Sequence, residues 1–235
     1  MMIATPAMHD PAVLTPMVST EAARYALLRR LAPSMRHHLV VNLQPIGMIY
    51  EVMDRRLRVP APDLASVHDS AQKINGFARA ALDSCLDVVT WLAPDQSATV
   101  PVVDGVRECV SLLATSLGFR GYAVRNEVAC VPGEVCRASL RSVLTSALIH
   151  MTDQSPPPAD LVLAAGAEPQ GLRLVLSLRS TQGSQGFANE ATYRKLDWND
   201  VQALAEAESV QLQRDGPLVR MMIPWSVRTA RTGPG

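Results

Sequence analysis

Nine positions in the middle of this chain, Leu64, Val67, Ala71, Ile74, Ala78, Ala81, Cys85, Val88 and Leu92, recur in strict three-four alternation. Such steps return each side chain to one face of an α-helix and draw that face out into a seam, which strands and loops do not do. A helix carrying it has to bury it against other helices. A shorter seam comes earlier, at Leu39, Leu43, Ile46, Tyr50, Met53 and Leu57. Between the two, Arg58-Val59-Pro60-Ala61-Pro62-Asp63 breaks the helix, because proline lacks the N–H a helix interior needs. Two long seams and a short break predict an antiparallel helical hairpin. One hairpin buries too little to cover both seams, so a homodimer is expected, with two hairpins forming a four-helix bundle.

His37 precedes Leu39 by two residues, about 200° round the helix from the seam. It is expected to face solvent near the start of the first helix, with Val41, Gln44 and Met48 on the same outer face and His38 nearer the packed side. Pro45 falls inside the helix, where it removes a hydrogen bond and bends the axis. The segment His37-His38-Leu39-Val40-Val41-Asn42-Leu43-Gln44 resembles the phosphoacceptor box of one branch of the two-component histidine kinases. In that box a histidine is followed by an aliphatic residue and then by Asn-Leu-Gln. The matching residues are His37, Leu39, Asn42, Leu43 and Gln44. The resemblance implies that His37 is the phosphoacceptor and that His38, Val41, Gln44 and Met48 are supporting or docking positions. In the kinases an acid or polar neighbour of the acceptor often serves as base. Here that neighbour is His38 and the residue one turn on is Val41, departures that weaken autokinase and phosphatase roles without barring reversible transfer.

Beyond Pro94-Asp95-Gln96-Ser97-Ala98, a linker by composition, the pattern changes to mixed helix and strand. Val100 to Val103 reads as a strand; Asp104 is placed to cap a helix through about Leu117; Gly118 and Gly121 turn the chain into an extended Tyr122 to Ala129. A helix is expected from about Pro132 to Met151, then strands over Leu161 to Ala164 and Leu172 to Leu178, the latter with the period of a half-buried sheet. A Gly/Gln/Ser-rich loop, Ser180 to Asn189, leads to a helix from about Trp198 to Ala207, and Val210 to Gln213 with Leu218 to Ile223 close a hairpin through Asp215-Gly216. This order resembles the ATP-binding catalytic domain of histidine kinases and related ATPases. The fold class expected is therefore α+β: an N-terminal helical hairpin followed by an α/β sandwich like a degenerate kinase ATPase domain.

The resemblance fails at the nucleotide site. The family carries asparagines on its second helix that hold Mg²⁺ and phosphate; Val143-Leu144-Thr145-Ser146-Ala147-Leu148-Ile149-His150-Met151 keeps the frame but has Ser146 and His150 in their place. The family's Asp-x-Gly-x-Gly element meets Arg179-Ser180-Thr181-Gln182-Gly183-Ser184-Gln185-Gly186, which contains no acid, and its phosphate-cradling glycine loop has no counterpart between Lys195 and Asp200. The resemblance thus implies a histidine phosphotransferase of a phosphorelay that binds no cofactor of its own, Mg²⁺ being supplied by the receiver partner. Receiver domains of response regulators are the expected partners, with a hybrid histidine kinase as a further candidate. A non-enzymatic adaptor or inhibitor is the alternative, and a divergent ATP-dependent kinase the third reading. His68 and His150 read as structural histidines.

Composition removes other classes. Lys and Arg together number 22, as do Asp and Glu, so no net field attracts nucleic acid or an anionic membrane. No stretch reaches the roughly 20 apolar residues of a membrane span. Cys85, Cys109, Cys130 and Cys136 form no CxxC pair and no zinc spacing, and read as reduced core thiols of a cytoplasmic protein. The expected organisation is a flexible lead over 1–19, the hairpin over 20–94, the ATPase-like domain over 98–226 and a flexible tail over 227–235.

Overall fold

The computed structural model describes residues 11–183, 186–187 and 193–226, with side chains from Ser19 onward. Two long helices open the chain. α1 spans Pro11–Leu57 and α2 spans Leu64–Leu92, with Asp63 capping α2 by accepting the N–H groups of Ala65 and Ser66. They run back along each other as the expected hairpin. Helix α1 reaches back to Pro11, so residues 11–19, expected in a flexible lead, are helical, and His37 lies past the middle of α1 rather than near its start. Residues 1–10 and the expected tail over 227–235 lie outside the described residues.

Each seam divides into two columns. Val67, Ile74, Ala81 and Val88 of α2 turn inward and are at least half-buried, as are Leu39, Ile46 and Met53 of α1. The alternate positions face outward: Leu64, Ala71, Ala78, Cys85 and Leu92 on α2, and Leu43, Tyr50 and Leu57 on α1, are all exposed. One antiparallel neighbour fills one column of a heptad seam and leaves the other bare.

The second half is a two-layer sandwich. Its elements are β1 (Thr99–Pro101), α3 (Val102–Phe119), β2 (Tyr122–Asn126), β3 (Glu134–Cys136), α4 (Arg137–Gln154), β4 (Ala159–Glu168), β5 (Gly171–Ser180), α5 (Trp198–Ala207), β6 (Gln211–Asp215) and β7 (Leu218–Pro224). Five strands form one sheet in the order β2-β4-β5-β7-β6, with β2 parallel to β4 and the other neighbours antiparallel; β1 and β3 make a separate ribbon. Alternation along β5 sends Leu172, Leu174, Leu176 and Leu178 into the core and Arg173 outward. Those leucines meet Leu140, Val143, Leu144, Ala147 and Leu148 of α4 in one core. The α+β class is as expected.

Several local expectations are corrected. Asp104 does not cap α3: the helix starts two residues earlier after Pro101, and Asp104 pairs with Arg107 inside the first turn. Helix α4 begins at Arg137, not Pro132, because Glu134–Cys136 is taken by pairing with β1. The last hairpin turns through Gly216-Pro217, with Asp215 still paired to Leu218. Gly216 at φ +54° ahead of proline is the glycine-first arrangement of a tight hairpin turn. Of the cysteines only Cys109 is a core thiol; Cys85 and Cys130 are exposed and Cys136 is intermediate. Apolar surroundings push the Cys109 thiol up to about 12.

Helix α1 belongs to both halves of the molecule. Ala23, Ala26, Leu27, Leu31 and Met35, spaced by three and four, are buried in the same core as the sheet. The first part of α1 is thus an outer helix of the sandwich, and the part after Met35 is a helix of the hairpin.

Candidate functional site

His37 is exposed on α1, and Val41, Gln44 and Met48 follow it on an exposed face. His38 is half-buried, and its ring centroid lies 6.2 Å from that of His37. Both histidines open onto a groove of about 430 Å³. One wall is α1, with Pro33 and Ser34; the other is the last two turns of α3, with Leu112, Thr115, Ser116 and Phe119; Phe187 closes one side. No charged side chain stands among the described residues that line it. His38 also faces a second recess of about 240 Å³, bounded by Asp83, Ser84 and Asp87 of α2.

The other matched residues of the box take structural places. Asn42 donates from its amide to the His38 carbonyl and to Ser84 Oγ, both at 3.1 Å, pinning α1 to α2 one turn beyond the histidines. Leu43 stands in the bare outer column of α1. The α3 wall and Phe187 were absent from the sequence reading, and no spacing could have supplied them, since they meet His37 only through the docking of α1. Phe187 is held there by its N–H, which donates to the Phe119 carbonyl at 2.8 Å. Gly186 before it has φ +64°, and a Cβ there would lie 2.4 Å from the Gly121 nitrogen, so only glycine lets this loop lie on the α3–β2 turn.

The positions that hold Mg²⁺ and nucleotide phosphate in the resembled ATPases are used differently here. Ser146 is fully buried and donates to the Val143 carbonyl at 3.0 Å. His150 is 2% exposed, with Nδ1 2.9 Å from the Leu196 carbonyl and Nε2 3.1 Å from an Arg214 Nη1. The tautomer with its proton on Nδ1 satisfies both contacts. The Trp198 ring packs against it at 5.6 Å. Ser146 is turned into its own helix and both His150 ring nitrogens are engaged by the chain, so neither side chain is presented to a ligand. His68 is exposed on α2, beside Gln72 at 3.0 Å.

The chain over 193–200 is fastened down. Arg194 grips Asp200 with both prongs at 2.5 and 2.7 Å, and Asp200 closes a capping box with Asp197 at the start of α5. Burial alone would push the Asp200 carboxyl up; the hydrogen bonds from Arg194 and the Asp197 N–H, with the nearby Arg194 charge, outweigh it and hold that carboxyl below its ordinary value.

No family model and no curated protein matches this chain. Solved structures do. A histidine kinase from Burkholderia phymatum is 17% identical, covering 83% of this chain and 97% of its own, with a TM-score of 0.43. The catalytic domain of the histidine kinase ThkA is 9% identical over 54% of this chain and 95% of its own, at a TM-score of 0.41. A bacterial phosphotransferase is 12% identical over 94% of this chain and all of its own, at 0.39. Likenesses this distant assign neither a site residue nor an activity. No helix among the described residues is long and apolar enough to cross a membrane.

Proposed function

We propose that this chain is a histidine phosphotransferase of a two-component phosphorelay, exchanging phosphate between His37 and the aspartate of a receiver domain without binding ATP. The observation that carries this reading is the contrast between two sets of side chains. His37 stands exposed at the mouth of an uncharged groove, while Ser146 and His150, where a nucleotide would be held, are sunk in the core.

In the transfer, a ring nitrogen lone pair of His37 forms the N–P bond as the P–O bond to the aspartate breaks, and the electron pair of that bond returns to the carboxylate. The reverse step restores the acyl phosphate. The histidine side need supply only a placed nucleophile, because the receiver brings Mg²⁺ and its own acids. A groove without carboxylates does not repel the incoming phosphoryl group, and one without cations does not retain it. The bare outer columns of both helices further support a homodimer in which two hairpins close a four-helix bundle.

The test is incubation with a phosphorylated receiver and detection of acid-labile, base-stable phosphate on this chain. His37→Gln is expected to abolish uptake while leaving folding and receiver binding near wild type, since an exposed side chain contributes little to the core. His38→Gln is expected to keep most of the transfer. No label on the wild type would leave the adaptor reading, and micromolar affinity for Mg-ATP in calorimetry would return the kinase reading.

A further inference from the structure

Two buried arginines tie α1 and α2 to the sandwich core, one contact on each helix. Arg30 of α1, its side chain 8% exposed, places two prongs on Asp153 of α4 at 2.5 and 2.7 Å. The Asp153 side chain is 2% exposed and also accepts from Arg120 at 3.2 Å and from the Leu196 N–H at 3.3 Å. Arg141 of α4, 5% exposed, reaches Asp87 of α2 at 2.5 Å and Thr90 at 2.7 Å, contacts Glu108 of α3 and lies over the Trp91 ring at 4.7 Å.

Both clamps hold elements that wall the groove without lining it themselves. Arg30 precedes His37 by seven residues, which puts the two within about 20° on α1 and roughly 10 Å apart along it. Arg141 ties α2 to the same α3 whose last turns form the facing wall. A charge taken out of water and paired in a fixed two-pronged geometry resists separation, since parting it strands a buried ion.

We infer that Arg30 and Arg141 are positioning residues for transfer at His37, holding the α3 wall opposite the histidine so that the groove is shaped before a partner arrives. This rests on the phosphotransfer reading. Receiver recognition then depends on both clamps, whereas the intrinsic reactivity of His37 does not.

The experiment compares two phosphodonors on the full-length protein. One is a phosphorylated receiver domain, which has to dock. The other is phosphoramidate, which does not: its P–N bond breaks, ammonia leaves and the phosphoryl group passes to the imidazole. For Arg30→Ala and Arg141→Ala the KM for the receiver is expected to rise about tenfold, while labelling of His37 by phosphoramidate stays within about twofold. Should Arg30→Ala fail to fold, Arg30→Lys keeps the charge but gives up the two-pronged contact, and a rise of about threefold is expected. A receiver KM unchanged in the folded variants, or an equal loss with both donors, would overturn the inference. Wild-type protein labelled by neither donor would overturn the phosphotransfer reading, and this inference with it.

Discussion

Helices α2 and α4 both carry apolar residues at helical spacing yet live in different surroundings. Of the 29 residues of α2 only Ser70, Ala81 and Trp91 are buried, whereas fifteen of the 18 residues of α4 are. Helix α4 is wrapped by the sheet, α3, α5 and α1, so nearly every position has a partner, including Thr145, Ser146 and His150. Helix α2 has α1 along one side, meets α4 near its C-terminal end through Asp87, Thr90 and Trp91, and among the described residues has no neighbour along its outer column. The hairpin is therefore open along its outer column beside a sandwich closed on every side, and that column is where the proposed dimer would pack.

Charge placed in each helix should separate the two. Leu144→Asp, in the middle of α4, buries an unpaired carboxylate and is expected to cost about 4 kcal/mol or more, enough to unfold the sandwich in a urea titration. Leu82→Asp, on the bare side of α2, is expected to leave the urea midpoint of the protomer nearly in place and to turn the dimer into a monomer in sedimentation. A wild-type protein that sediments as a monomer at micromolar concentration would break the comparison.

The cysteines offer a gentler probe of the same difference. Cys130, exposed on the sandwich, is expected to react quickly with a thiol reagent, and Cys109 only on unfolding. Cys85 stands in the bare column of α2, so it should react slowly in the dimer and quickly in Leu82→Asp. Equal rates for Cys85 in both proteins would place the dimer contact elsewhere.

The smallest effect concerns acid. Because the Asp200 carboxyl is held below its ordinary value in the folded protein, its stabilisation of α5 is present above the usual carboxylate range and is lost as pH falls through the folded value. The thermal midpoint of the wild type should drop below about pH 4, and the gap between it and Asp200→Asn should close there. A gap that stays constant from pH 3 to 7 would show that the Arg194–Asp200 contact adds nothing.

Much of this was legible in the amino-acid pattern, for physical reasons that also explain the gaps. The α2 seam is long and regular, so it shows without knowledge of its partner, and α5 over Trp198–Ala207 is bounded by its Asp197 cap. The seams did not reveal that each splits into an inner and an outer column, since periodicity reports a face and not how many neighbours cover it. Strands β1 and β3 have three residues each, too few for alternation to register. The largest omission is the role of α1 before Met35. Ala23, Leu27 and Leu31 already carry helical spacing, but small residues and interleaved arginines read as a weak face until their acidic partners Asp153 and Glu208 are brought alongside. The exposed His37 follows from counting along the helix; the α3 wall facing it does not, because that depends on contacts between residues 123 positions apart.

Helix α1 passes from sandwich to hairpin as one continuous helix, with Pro33 leaving out a single ladder hydrogen bond, and this makes the distance between Arg30 and His37 a matter of phase. Inserting one residue between Leu31 and Arg36 would swing the histidine by about 100° and advance it about 1.5 Å while the clamp stayed put. Deleting one would instead carry His38 into the place of His37. The doublet therefore gives this stretch tolerance to a slip in one direction and none in the other, so that its length is as much a part of the site as the imidazole.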